Sequence, residues 1–156
     1  MTLMDEAMCR LSEEYDAQGK AGPWHADIVD ALAQAFILQA HDRFRVRVHQ
    51  PIDLGPESQP QPDLVVCRLE RYRDHHPGPA DILLVIEVAD TTLDFDLADK
   101  RALYADAGIP EYWVIDVQAG KLTRFVRDGT EQLATGTTIS PVMFPDVSID
   151  LAELFG

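Results

Sequence analysis

The sequence predicts a mixed α/β (α+β) domain in which helices pack on the faces of one central β-sheet. Three observations predict it. Apolar residues recur at three-to-four spacing in two separate stretches, 25–40 and 94–107, as one face of a helix requires. Between and after them the pattern changes to alternation or to short unbroken apolar runs, which mark strands. The chain has 156 residues, 46% of them hydrophobic, enough for one domain with a real core.

Residues 1–24 are expected to form an N-terminal extension, and a single domain follows over 25–156. The first 22 residues carry only a weak amphipathic signal from Met4, Met8, Leu11 and Tyr15. In the first helix Ile28, Leu32 and Ala35 share a face, with Val29 and Phe36 beside them, and Gly22-Pro23 stands before it as a breaker. Over 44–49, Arg43, Arg45 and Arg47 alternate with Phe44, Val46 and Val48, a half-exposed strand. Residues 53–62 are polar and turn-rich, a connection. Strands over 64–69 and 82–88 follow, joined by a loop that holds His75-His76-Pro77-Gly78-Pro79. The second helix stops at Gly108, with Pro110 just beyond. An apolar strand over 112–117 and a hairpin partner over 121–127 lead to Asp128-Gly129. The tail over 144–155 reads as an extended segment and a short closing helix.

Composition narrows the function. Asp and Glu number 27 against 13 Lys and Arg, a net charge of −14, which opposes any protein that grips nucleic acid or anionic lipid by bulk electrostatics. An acidic chain still acts on DNA if a metal ion supplies positive charge locally. The excess is uneven: residues 41–76 balance six Arg against six acids, whereas 81–116 carry nine acids against two cations. Cys9 and Cys67 make no CxxC pattern, so neither a disulfide framework nor a zinc knot is indicated, and Cys67 reads as a buried small hydrophobe. No stretch reaches the roughly 18 apolar residues of a membrane span. The acidic N-terminus does not read as a signal peptide, and the expected compartment is the cytoplasm.

Chemistry concentrates around Glu87. It lies in Ile82-Leu83-Leu84-Val85-Ile86-Glu87-Val88-Ala89, a run apolar on both faces, as in a central strand. A carboxylate there costs several kcal/mol unless it is paired. Either it meets solvent or an arginine at the strand's end, or it binds a metal ion. Asp63, after Pro62, stands at the mouth of the adjacent strand, and two such carboxylates can converge on a hard divalent cation. Lys100 is the third piece. On a helical wheel it falls in the apolar arc with Leu97, Tyr104, Ala105 and Ala107, while Asp96, Asp99, Leu103 and Asp106 lie opposite. Lys100 then either snorkels to water or leans toward the carboxylates; Arg101 shares that ambiguity.

These residues resemble a known family. Pro62-Asp63, Ile86-Glu87-Val88, the set Asp96, Lys100 and Tyr104, and the stretch Gly108-Ile109-Pro110-Glu111-Tyr112-Trp113-Val114-Ile115-Asp116 are similar to the Uma family of restriction endonucleases, in the PD-(D/E)xK nuclease-like superfamily. The ending, Phe144-Pro145-Asp146-Val147 to Leu154-Phe155, is similar too, and the resemblance runs from about residue 25 to 155. It implies a restriction-endonuclease-like fold with a central mixed sheet, and a Mg²⁺ (or Mn²⁺) site formed by Asp63, Glu87 and the Val88 carbonyl. The superfamily's usual lysine position, two after the Glu, is Ala89 here; Lys100 on the following helix fits the family's replacement. An acidic residue from the first helix often joins such sites, with Asp27 and Asp30 as candidates, and His25 and Tyr104 can line it. Family members begin with a strand pair around a Gly-Glu motif, which residues 1–24 lack.

The resemblance thus implies a Mg-dependent endodeoxyribonuclease that hydrolyses DNA phosphodiester bonds with an activated water. DNA is the expected substrate, with weak non-specific binding near the arginine set Arg43, Arg45, Arg47, Arg68, Arg71 and Arg73. The rival reading keeps the fold as a catalytically inactive module for binding or assembly, working as a homodimer. For the remaining motifs the expectation is structural: Trp113 in the core, Asp116 following a strand, and His75-His76 as a loop pair.

Overall fold

Pro23 opens the first helix where the sequence pattern placed a breaker. In the computed structural model, which describes residues 22–127, 129–134 and 136–156, helix α1 (Pro23–Ala40) has Gly22 as N-cap and Pro23 in its first turn. Proline fits there because its missing N–H would have no intrahelical partner. The expected extension therefore gives its last two residues to the helix, and its weak helical signal over residues 1–21 lies outside the described residues. Ile28, Val29, Leu32 and Phe36 form the buried stripe of α1, as their spacing requires. The helix ends at His41 in the left-handed conformation (φ 48°), and Arg43 donates to the carbonyls of Ala40 and Gln39 that the last turn leaves open.

Six strands follow in one sheet: β1 (Phe44–Val48), β2 (Leu64–Arg68), β3 (Ile82–Ala89), β4 (Glu111–Asp116), β5 (Lys121–Val126) and β6 (Gly129–Leu133). Their spatial order equals their chain order. All neighbours are antiparallel except β3 and β4, which run parallel. A parallel pair needs a crossover, and the second helical region provides it. That region is three pieces: α2 (Leu93–Phe95), a π-helical turn (Asp96–Lys100) and α3 (Arg101–Asp106). A two-stranded sheet of β7 (Thr138–Ile139) and β8 (Ile149–Asp150) leads to α4 (Leu151–Phe155). Asp150 caps that helix by accepting the Ala152 and Glu153 amides, so the short closing helix is as expected. The sequence pattern did not resolve β6, which is mostly exposed, or β7, which has only two residues.

Helices cover both faces of the sheet. Against α1, β8 and α4 pack Leu84, Ile86, Val88, Trp113 and Ile115. Against the crossover pack Val65, Val85, Ala89, Tyr112 and Val114. This two-sided burial is why β3 reads as an unbroken apolar run: each of its eight residues is buried. Trp113 lies fully buried against Phe36, and its indole N–H donates to Glu111 Oε2 at 2.7 Å. Glu111 also accepts the Val142 amide, so it ties β4 to the C-terminal segment. Cys67 is buried in β2. Among the described residues no helix is long and apolar enough to cross a membrane.

Candidate active site

Alternation fixes which side chains meet. In β2, Val65 and Cys67 face the crossover; in β3, Val85 and Ala89 do. Asp63, immediately before β2, and Glu87, in β3, share that parity, and the β2–β3 register sets Leu64 opposite Ile86. The two carboxylates are therefore neighbours at one end of the sheet. His49 follows β1 at the same end and on the same face. His25 arrives from the first turn of α1.

The hydrogen bonds are reciprocal. Glu87 Oε1 accepts the Asp63 backbone N–H at 2.8 Å, and Asp63 Oδ2 accepts the Val88 backbone N–H at 2.7 Å. The other oxygen of Asp63, Oδ1, stands 3.1 Å from His25 Nε2 and 3.1 Å from His49 Nε2. The two imidazole rings are stacked, with centroids 5.8 Å apart. On the far side, Glu87 Oε2 receives Lys100 Nζ and, at 3.5 Å, the Tyr104 hydroxyl. Lys100 Nζ also pairs with Asp96 Oδ1 at 3.1 Å, and Asp96 Oδ2 accepts from the Thr92 hydroxyl.

Asp96 corrects the reading that set it opposite Lys100: at 100° per residue the two, spaced i,i+4, stand only about 40° apart. The turn from Asp96 to Lys100 is π-helical, with i→i+5 bonding that widens it. Spaced four residues apart, Asp96, Lys100 and Tyr104 share one inward face, and all three are buried. The Tyr112 hydroxyl, from β4, donates to the Asp96 backbone carbonyl at 2.9 Å and pins the turn. Lys100 therefore does not snorkel; its side chain is 2% exposed. Arg101 does turn outward, its guanidinium 4.4 Å from the Phe125 ring centroid.

Burial and charge work against each other across the network. Burial would raise the Asp63 carboxyl, but the hydrogen bonds from His25 and His49 outweigh it and hold that carboxyl well below its usual range. Burial pushes Glu87 up to about 8, against the pull of the Lys100 ammonium. Burial would lower Lys100, yet the adjacent Glu87 and Asp96 carboxylates keep it above its ordinary value, hence charged. Among the described residues, three buried carboxylates face one lysine, an arrangement short of positive charge.

That shortage frames whether a divalent cation fits. His25, His49 and Asp63 each offer one ligand atom, and these atoms lie within 4.8 Å of one another. Glu87, by contrast, has both oxygens engaged by the Asp63 amide, Lys100 and Tyr104. The donor set fits a cation beside Asp63.

Of the residues singled out in the sequence, His25, Asp63, Glu87, Lys100 and Tyr104 converge here, with Val88 contributing its backbone N–H. Asp27 and Asp30 do not. Both are exposed on the outer side of α1, beside Ile37 and Leu38, because the helix turns only its His25–Ile28–Leu32 face inward. Asp116 accepts the Ala119 amide in the β4–β5 turn, and His75 pairs with Asp74 in its loop. Sequence reasoning missed His49, Asp96 and Thr92 as site residues. His49 carried a signal, since it continues the parity of Arg45 and Arg47, and so did Asp96, which stands four residues before Lys100 on the same helical face.

The comparisons with known proteins bear on the fold and the family. A solved structure of a "putative nuclease belonging to DUF820" from Anabaena variabilis ATCC 29413 superposes with a TM-score of 0.70 and 13% identity, covering 87% of this chain and 82% of that one. The likeness establishes a shared fold, the mixed sheet with flanking helices. No curated protein matches the chain. The model of the Uma2 family, described as "Putative restriction endonuclease", matches residues 9–152, nearly the whole length. The chain belongs to the Uma2 family.

Proposed function

We propose that the protein is a metal-dependent endonuclease that hydrolyses DNA phosphodiester bonds in the cytoplasm, with its active centre at Asp63, Glu87 and Lys100. The observation that carries this reading is the buried Asp63–Glu87–Lys100–Asp96 network at one end of the sheet. A fold does not keep three buried carboxylates around one lysine for stability alone, since an apolar set of similar volume is often as stable. Asp63 would hold the cation through Oδ1, its other oxygen being fixed by the Val88 amide. A divalent ion there would supply positive charge to the phosphate and acidify a neighbouring water. Glu87 sets the Asp63 backbone in place and orients Lys100. Lys100, kept charged by two carboxylates, opposes the negative charge that builds on the phosphate. DNA approaches along β1, where exposed Arg45 lies on the same strand face as Arg47 and His49.

The test is nicking of supercoiled plasmid in Mg²⁺ or Mn²⁺. The wild-type chain is expected to nick and Glu87→Ala to lose activity by at least about 100-fold. Undiminished nicking by Glu87→Ala would refute the assignment. A second reading has its own observation: Glu87 and Lys100 side chains are each only 2% exposed, as in a purely structural ion pair. On that reading the fold is an inactive module for binding or assembly, and Glu87→Ala changes stability while no cation supports nicking.

A further inference from the structure

We infer that the cation beside Asp63 is also held by two imidazoles, His25 and His49, and that this site takes a first-row transition-metal dication in preference to Mg²⁺. The inference rests on the metal-dependent reading above and deepens it by naming ligands and cation class.

Three separate elements deliver the ligands. His25 comes from the first turn of α1, His49 from the residue after β1 and Asp63 from the residue before β2. Both Nε2 atoms reach the same oxygen, Asp63 Oδ1, at 3.1 Å, and the three ligand atoms lie within 4.8 Å of one another. Their aim is built into the backbone. His49 adopts φ 54°, a left-handed conformation uncommon for a residue with a side chain, while its N–H still donates to the Asp63 carbonyl at 3.1 Å. The ladder between β1 and β2 thus extends one residue further, and the twist at His49 turns its ring onto Asp63. The Val88 amide holds Asp63 Oδ2, which leaves Oδ1 presented to the rings. The rings lie within 18° of parallel, so both meet the carboxylate from similar directions. Such outer hydrogen bonds are what orient ligands in metal sites.

The chemistry of the donors selects the ion. Each Nε2 is a lone-pair donor once its ring carries the proton on Nδ1, so a cation can replace the protons that Asp63 Oδ1 otherwise attracts. Mg²⁺ demands oxygen ligands in a near-ideal octahedron and dehydrates reluctantly. Imidazole suits iron, nickel, copper and zinc, and affinity at nitrogen-containing sites rises along the first row from Mn²⁺. Two imidazoles and one carboxylate also leave positions open for water and a phosphate oxygen. His49, with its side chain one-third exposed, is the route by which an ion arrives from solvent.

Calorimetric titration of the full chain with Zn²⁺ and, separately, with Mg²⁺ tests this, alongside the visible spectrum of the Co²⁺-loaded protein. One Zn²⁺ is expected per chain, bound at least about 100-fold more tightly than Mg²⁺. His49→Ala is expected to weaken Zn²⁺ by more than the roughly 10- to 100-fold that outer-shell partners contribute, and to abolish the cobalt ligand-field bands. His25 is fully buried, so the half-buried His49 carries the test, with thermal melting to establish that the variant is folded. Equal affinity for Zn²⁺ and Mg²⁺, or Zn²⁺ binding unchanged in folded His49→Ala, would overturn the inference. Mg²⁺-supported nicking that persists undiminished in His49→Ala sinks it and spares the nuclease reading. Tight, His49-dependent Zn²⁺ binding in a chain that nicks DNA with no cation upholds it and sinks that reading instead.

Discussion

Lys100 is the residue on which the buried carboxylates depend. Its ammonium touches Glu87 and stands 3.1 Å from Asp96, and none of the three side chains is more than 2% exposed. Removing one partner of a buried pair strands the other charge, at a cost of about 3–5 kcal/mol. Lys100→Met is therefore expected to lower unfolding stability by that order. Glu87→Gln leaves Lys100 paired with Asp96 and should cost less, about 1–3 kcal/mol. The double variant removes both charges of the pair, so its loss should fall clearly short of the sum; urea unfolding of the four proteins measures this. Strict additivity would mean that the two groups do not interact in solution. The same residues measure what the sequence disclosed. Glu87 was legible because a carboxylate in an all-apolar strand needs a chemical reason, and Lys100 because it fell in an apolar helical arc. His49 was legible only in part: it continues the parity of Arg45 and Arg47, but it sits one residue past an alternating strand, where a polar side chain is ordinary.

At the level of elements, the departure from regular geometry matters most. The crossover reads in sequence as one helix over 94–107, whereas the structure places a π-turn between two α-helical pieces. Periodicity cannot register this, because the change alters phase over five residues while every residue stays helical. Asp96 and Lys100, spaced i,i+4, meet inside across that turn. The Tyr112 hydroxyl holds the turn through the Asp96 carbonyl, and the ring stacks on Phe125 at 5.9 Å between centroids. Tyr112→Phe keeps the ring and removes only that bond. Unfolding stability is expected to fall by about 1–3 kcal/mol, the cost of leaving a buried carbonyl unpaired. Nicking is expected to fall as well, because the turn carries Lys100 and its partner Asp96. A Tyr112→Phe protein with wild-type stability and activity would show that the π-turn stands without this bond. Legibility was higher for the strands, where alternation and apolar runs report pleat and two-sided burial directly, and lowest for β6, which buries too little to leave a pattern, and β7, which is too short for one.

The charge of the whole molecule constrains how it meets DNA. With 27 acids against 13 Lys and Arg, the chain repels a phosphate backbone at long range. Its arginines do not offset this fully: Arg43 is engaged by Asp146 at 2.8 Å, and Arg124 by Glu131 at 2.7 Å. The site adds to the deficit, with three buried carboxylates against one lysine among the described residues. If the protein acts on DNA, binding should therefore depend on the cation rather than on bulk attraction. In chelator, the chain is expected to leave a short duplex unshifted in a mobility assay even at about 50 mM salt, where proteins that neutralise many phosphates bind well. Adding Mn²⁺ to a nicking-deficient Lys100→Met protein, which retains Asp63, His25 and His49, should produce the shift. Salt should then weaken the complex only shallowly, since few phosphates are neutralised by side chains and the slope counts those contacts. A steep salt dependence in chelator would mean that the arginines along β1 and the following loop grip DNA by themselves, and that the acidity of the chain is no barrier to it.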